Sequence, residues 1–261
     1  SRSGLTFSIA TLRSLDEYTF VHSLNVSVLA LVIGVESGLG RKGLIELGVG
    51  ALLHDVGKAI VPVNLLNKPD ELTDQEMAIM KLHTIEGFQI LRSQPGVSLL
   101  SAHVAFQHHE RMDGLGYPRG LTGDEIHCYA RMTAVADVMD ALTAPRPYRR
   151  GLLPDQARNL VASLGGSHLD GVYVSILVNR VSVFPAGTVV RLASGEVGII
   201  ARQSPSDPAR PVVRVLSDQS LQPVAPYELP LDRSPDKSIA ELLHDLPDTL
   251  RSRSARIPSR D

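Results

Sequence analysis

A single cysteine, Cys128, leaves the chain without any internal disulfide, and a reducing cytoplasm is the simplest compartment for it. Charge of neither sign is in excess: 26 Lys and Arg stand against 28 Asp and Glu, a formal net charge of −2. A chain so balanced lacks the basic stripe that bulk nucleic-acid binding needs, so no DNA partner is expected and any phosphate recognition has to be local. Long apolar runs are missing too. The longest nearly apolar stretch, 26–35, is interrupted by Ser27 and is too short to cross a bilayer as a helix, so no membrane span is expected. There is no initiator methionine, and residues 1–15 lack the basic-then-apolar order of a secretion signal, so the chain reads as part of something longer with a domain upstream. Internal repeats and sustained low-complexity tracts are also absent. What remains is core-forming material: 43% of the 261 residues are apolar, enough for one large domain and a small one.

Apolar residues recurring at three and four positions predict helices over 16–36, 42–54, 73–93, 97–110, 129–143, 154–164 and 169–183. Thr73 followed by Glu76 has capping-box spacing, and Pro95-Gly96 stops the helix that follows it. After Phe184-Pro185 the pattern changes to short β-branched runs at 188–192, 197–201 and 212–216, separated by turn residues. The expected organisation is mainly α: a helical domain over 1–183, a small β extension over 184–235, and a short helix with a disordered tail over 236–261. The tail carries Arg253, Arg256 and Arg260 among Ser and Pro and cannot bury enough surface to order itself.

The chemistry concentrates between residues 22 and 149. His54 and Asp55 close an apolar helix, where a carboxylate is electrostatically misplaced unless a cation stands beside it. His108 and His109 end another helix side by side, about 100° apart on the helical wheel, so both reach one ion only near the helix end. Asp137 lies in a run of small and apolar residues, and a buried carboxylate needs a partner, for which an arginine is the ordinary candidate. His22 and His83, each taken alone, read as unexceptional helix histidines. Together these side chains form a candidate site. Imidazole and carboxylate without thiolate suit Fe, Mn, Co, Ni or Zn, and argue against a structural thiolate zinc site. Two carboxylates and five neutral imidazoles around two divalent ions leave a net charge of about +2, or +1 with a bridging hydroxide, which attracts an anionic phosphodiester.

His54-Asp55-Val56-Gly57-Lys58, together with His108-His109-Glu110 and the following loop through Gly116-Tyr117-Pro118, resembles the signature of the HD-GYP family, bacterial phosphodiesterases of cyclic di-GMP. The likeness runs from Tyr18-Thr19 and His22-Ser23 to Arg146-Pro147-Tyr148-Arg149, with a weaker continuation after Phe184 similar to the C-terminal extension of many members. The resemblance implies an HD-type helical bundle with a small C-terminal β extension. It implies that His22, His54 and Asp137 hold one metal, that His83, His108 and His109 hold the other, and that Asp55 bridges both. The ions are Fe or Mn first, with Ni, Co or Zn as alternatives. Lys58, Arg146 and Arg149 fall where the family binds the substrate phosphates, with Gly116, Tyr117 and Pro118 bordering the site. Asp55 and Lys58 take the catalytic roles. Some members carry a glutamate for a third metal where this chain has Tyr18, so two metals are expected.

The implied activity is hydrolysis of cyclic di-GMP to linear pGpG, with a second cut to GMP left open, by a hydroxide bridging the metals. The alternative is a catalytically silent sensor, or a docking module for a GGDEF-type cyclase or other signalling protein through the Gly-Tyr-Pro loop. Another HD-superfamily phosphohydrolase acting on a different nucleotide is disfavoured by that loop. Amphipathic helices at the start of the chain leave open both a homodimer and a partner domain. His103, His127 and Cys128 match no family ligand position and read as packing or surface residues.

Overall fold

The computed structural model describes residues 17–66, 68–144, 151–180, 184–207, 210–243, 245–247 and 250. Arg146 and Arg149, the end of the helix expected up to 183, and the tail beyond 250 lie outside the described residues. Two compact units are present: Ser1–Leu152 with Ala157–Val181, and Leu153–Gln156 with Ser182–Asp261.

The first unit is helical. Its elements are α1 (Glu17–Glu36), α2 (Arg41–Leu52), α3 (Asp74–Arg92), α4 (Leu99–Gln107), α5 (Cys128–Thr143), α6 (Pro154–Leu164, within this unit from Ala157) and α7 (Gly171–Arg180). A 3₁₀ turn, Val56–Ile60, follows α2, and a single helical turn, Val63–Leu66, precedes α3. α1 packs on α2, α5 and α7 through Val26, Ala30 and Ile33, which recur at helical spacing and meet Leu47 and Ala51 of α2 and Met132, Val135 and Ala136 of α5. A smaller cluster of Val56, Leu91, Ala102 and Ala105 lies under the 3₁₀ turn and ties it to α3 and α4. α3 starts as expected: the Glu76 N–H donates to Thr73 Oγ1 at 3.3 Å, and the Thr73 N–H donates to Glu76 Oε2 at 2.8 Å.

α1 differs from expectation in one respect. Thr19–Glu36 is long and apolar enough, by length and composition, to cross a membrane. The shorter run at 26–35 understated it because His22, Ser23, Asn25 and Ser27 interrupt the apolar pattern. His22, Ser23 and Ser27 are buried against the rest of the unit, and Asn25 hydrogen-bonds to α5. The outer face of the helix carries Val21, Leu24, Val28 and Val35, all exposed.

The second unit is a five-stranded antiparallel sheet in the order β4-β3-β2-β1-β5, made of β1 (Val189–Leu192), β2 (Val197–Arg202), β3 (Val212–Ser217), β4 (Pro223–Pro230) and β5 (Ile239–Leu243). Phe184, Val190, Leu192, Ile200, Val213, Val215, Leu231 and Ile239 fill its core. The three expected strands are present, and two more were not anticipated. β4 contains Pro223, Pro226 and Pro230, which sequence patterns read as breakers; it is an edge strand, where proline is tolerated because one side needs no ladder donor. Over Ile239–Leu243 the expected short helix is corrected to a strand, and the sheet therefore extends past residue 235. The local helix preference of Ala240-Glu241-Leu242 gives way to pairing with β1, Val190 opposite Leu242 and Arg191 opposite Glu241.

Candidate metal centre

Five helix ends or faces of the first unit converge. α1 contributes His22, the turn after α2 contributes His54 and Asp55, α3 contributes His83, the end of α4 contributes His108 and His109, and α5 contributes Asp137. Both paired motifs lie just beyond their helices, since α2 stops at Leu52 and α4 at Gln107. Leaving the helix lets neighbouring side chains turn to one side.

The donor atoms fall into two groups, each with its atoms within 4.8 Å of one another: His22, His54 and Asp137; and Asp55, His83, His108 and His109. Asp55 links them. Its Oδ2 lies 3.3 Å from His54 Nε2 and 4.0 Å from His22 Nε2, whereas its Oδ1 lies 3.4 Å from His83 Nε2 and 3.8 Å from His108 Nε2. One carboxylate thus turns an oxygen to each group. The partner of Asp137 is His22 Nε2 at 3.2 Å, where an arginine was the ordinary expectation.

Backbone geometry fixes which ring nitrogen faces inward. His54 Nδ1 donates to Ala51 O at 2.7 Å, His83 Nδ1 to Met80 O at 2.7 Å, and His108 Nδ1 to Ala105 O at 3.0 Å. A proton held on Nδ1 leaves the Nε2 lone pair free to bind a cation. The donor set fits a metal on a further ground: His54 Nε2 and Asp55 Oδ1 are buried without a hydrogen-bond partner. Such orphaned atoms are costly in a folded protein; a cation in the first group would satisfy His54 Nε2 and one in the second would satisfy Asp55 Oδ1.

Electrostatics point the same way. Burial holds the His83 imidazole below its ordinary pKa, and burial with neighbouring imidazoles holds His108 and His109 well below theirs, so all three rings are neutral at pH 7. Burial opposes ionisation of Asp55, yet the charge of Lys58 and the neighbouring imidazoles prevail and keep its carboxyl well below the usual range. Lys58 Nζ hydrogen-bonds to Asp55 Oδ2, and its side chain is 31% exposed, so its charge is open to an incoming anion. For His22, burial disfavours protonation, but hydrogen bonds to Asp137 and Asp140 prevail and raise it to about 9 from 6.5.

A group raised in this way contributes stability that is fully present below its ordinary value and is lost as pH climbs through the folded value. The chelator-stripped protein is therefore expected to lose several degrees of thermal midpoint between pH 6.5 and 10, and His22→Asn to remove that alkaline loss. Thermal unfolding followed by circular dichroism at both pH values checks it; an equal loss in the variant would contradict the assignment.

The Gly116-Tyr117-Pro118 loop covers the second group. The Tyr117 ring lies 4.7 Å from the His109 ring, tilted by 30°, and the Tyr117 N–H donates to His109 O at 3.1 Å. Gly116 is packed so closely that a Cβ would come within 2.4 Å of Arg111 N and 2.5 Å of His109 O. Sequence reading missed Glu110, whose buried carboxylate accepts the N–H groups of Arg119 at 2.8 Å and Leu121 at 2.9 Å and so ties the loop down. It also missed Asp140 and Asn25, which stand behind His22. A second aspartate one turn after Asp137 in an apolar helix was the available signal. His103 packs against Phe88 and Phe106, and His127 caps α5 through the Tyr129 N–H.

Residues 9–172, well over half of the chain, match the family model described as HD domain. The chain belongs to the HD domain family. Within it, the loop after His109 carries the HD-GYP pattern. A cyclic di-GMP phosphodiesterase of Pseudomonas aeruginosa is 38% identical over 228 residues, covering 87% of this chain and 55% of the relative. A 3'3'-cGAMP-specific phosphodiesterase of Vibrio cholerae is 41% identical over 135 residues, covering 51% of this chain and 26% of the relative. Among solved structures, an HDG"Y"P protein from Bdellovibrio bacteriovorus aligns with a TM-score of 0.52 at 25% identity, over 61% of this chain and 51% of that one. The HD chain thus spans 55% or less of each relative's length.

Proposed function

We propose that the chain is a metal-dependent phosphodiesterase that hydrolyses cyclic di-GMP to linear pGpG and then to GMP. The observation that carries this reading is the single carboxylate of Asp55, whose two oxygens face two separate groups of imidazoles. His22, His54 and Asp137 would hold one divalent ion, His83, His108 and His109 the other, and Asp55 both. The ions are Fe or Mn, with Ni, Co or Zn as alternatives. When bound, such a pair supplies Lewis acidity toward phosphate oxygens and lowers the pKa of water.

The protein's own contribution is orientation and charge. Backbone carbonyls fix the ring tautomers of His54, His83 and His108, so the ligand atoms are aimed without reorganisation. Lys58, beside Asp55 and partly exposed, is placed to attract a phosphate and to stabilise charge that grows on it. Tyr117 flanks His109 and limits water access on that side. Arg146 and Arg149 are assigned to substrate phosphates on sequence resemblance. In the reaction a water oxygen joins phosphorus, the P–O3′ bond breaks, and the 3′ oxygen takes up a proton; a second cycle on pGpG gives two GMP.

Cyclic di-GMP is proposed ahead of 3'3'-cGAMP because the relative that aligns over 87% of this chain is named for it. The docking alternative, a GGDEF-type cyclase or other signalling protein on the Gly-Tyr-Pro loop, rests on the sequence resemblance; the loop carries Leu115, directly before Gly116, which is exposed. Incubating Mn²⁺- or Fe²⁺-loaded protein with each cyclic dinucleotide and separating the products discriminates. Appearance of pGpG and then GMP, faster than cleavage of 3'3'-cGAMP, is the expected result; absence of turnover with either metal would leave the docking role.

A further inference from the structure

The imidazoles of the centre are not held alike. His54, His83 and His108 turn Nδ1 to neutral backbone carbonyls. His22 instead has Nδ1 against a carboxylate, Asp140 Oδ2 at 2.7 Å. Asp140 is buried, 5% exposed, and its other oxygen accepts the Asn25 amide at 2.9 Å. Asn25 lies one turn along α1 from His22, and Asp140 lies one turn along α5 from Asp137, so the two helices are tied at successive levels around one ring.

A carboxylate behind a ligating imidazole fixes its orientation and raises its basicity. It also makes the two halves of the centre unequal. The half with His22 and His54 has Asp137 and Asp140 besides its share of Asp55; the half with His83, His108 and His109 has only its share of Asp55. We infer that Asp140, anchored by Asn25, is a positioning residue that makes the His22 half the tighter metal site, so that this half fills first and the ion in the other half is the exchangeable one. The inference deepens the two-metal reading above and rests on it.

The test titrates the metal-free chain with Mn²⁺ in two backgrounds. His108→Ala cripples the second half and Asp137→Ala the first. In the His108→Ala background, Asp140→Asn is expected to weaken Mn²⁺ binding about 10- to 100-fold. In the Asp137→Ala background the same change is expected to shift binding by less than about 2-fold, because the ion then measured sits in the half with His83, His108 and His109, which Asp140 does not touch. Without Asp140→Asn, the His108→Ala protein should bind Mn²⁺ more tightly than the Asp137→Ala protein.

Equal losses in both backgrounds, no loss in the first, or the reverse order of affinities would overturn the inference, as would absence of Mn²⁺ binding in both. Should Asp140→Asn fail to fold by far-ultraviolet circular dichroism, Asn25→Ala carries the same comparison, with a selective loss of several-fold expected and an unselective one decisive against. Binding is read apart from turnover. A chain that binds Mn²⁺ in this pattern yet cleaves no cyclic dinucleotide would defeat the functional reading and leave this one intact.

Discussion

Replacing Asp55 with alanine is expected to lower turnover of cyclic di-GMP by at least ~10³-fold and to reduce bound metal below one equivalent per chain. The size follows from its double duty. Asp55 is 4% exposed and turns Oδ2 toward His54 and His22 and Oδ1 toward His83 and His108, so one truncation strips both halves of the centre of their shared negative charge. Metal-assisted chemistry of this kind contributes several kcal/mol to the barrier, and about 1.4 kcal/mol is a factor of ten in rate. Lys58 adds a second effect, because without Asp55 its ammonium faces a cluster of imidazoles and repels any entering cation. Metal content by atomic emission and product separation after single turnover check the prediction. Retention of two ions with normal hydrolysis would remove Asp55 from the centre of the mechanism.

The second large effect is expected at a residue with no functional group. A Cβ on Gly57 would lie 1.9 Å from His83 O and 2.6 Å from Gly87 N, backbone atoms of α3 that no rotamer change can move aside. Gly57→Ala must therefore push the 3₁₀ turn off α3, at a cost of about 3 kcal/mol by analogy with overpacked cores. The same movement separates Asp55 and Lys58, on the turn, from His83, on the helix, so metal affinity falls with stability. Gly40→Ala is the control, since a Cβ there meets nothing within 4 Å, and its expected cost is under ~1 kcal/mol. Urea unfolding of both variants reads the difference; similar midpoints would show that the turn has slack which its packing does not suggest.

Legibility in the sequence followed the range of the interaction concerned. The seven helical segments with clear periodicity are helices in the structure, because amphipathic spacing and local signals such as the Thr73–Glu76 box act within a few residues. β4 and β5 were not legible because their strand character comes from neighbours remote in the chain: Pro230 pairs with Val212, and Leu243 with Val189. In the centre, His54-Asp55 and His108-His109 announced themselves as adjacent polar pairs ending apolar helices. His22 and His83 did not, since each looks like an ordinary helix histidine until the fold brings it beside Asp55. Asn25 and Glu110 escaped because their roles are to hold other groups, and nothing in composition or spacing distinguishes a side chain that orients a ring or a loop from one that faces water; Asp140 escaped although its place one turn after Asp137 in an apolar helix was a signal.

α1 carries polar anchors inside an apolar length. By length and hydropathy it could lie within a lipid bilayer, yet it supplies His22 to the cluster and Asn25 to the carboxylate behind it. Drawing this segment into hydrocarbon would strand those polar groups and pull one ligand from the first group. Its polar anchors, His22 and Asn25, therefore tie α1 to the helical unit, whose core it also helps to fill through Val26, Ala30 and Ile33.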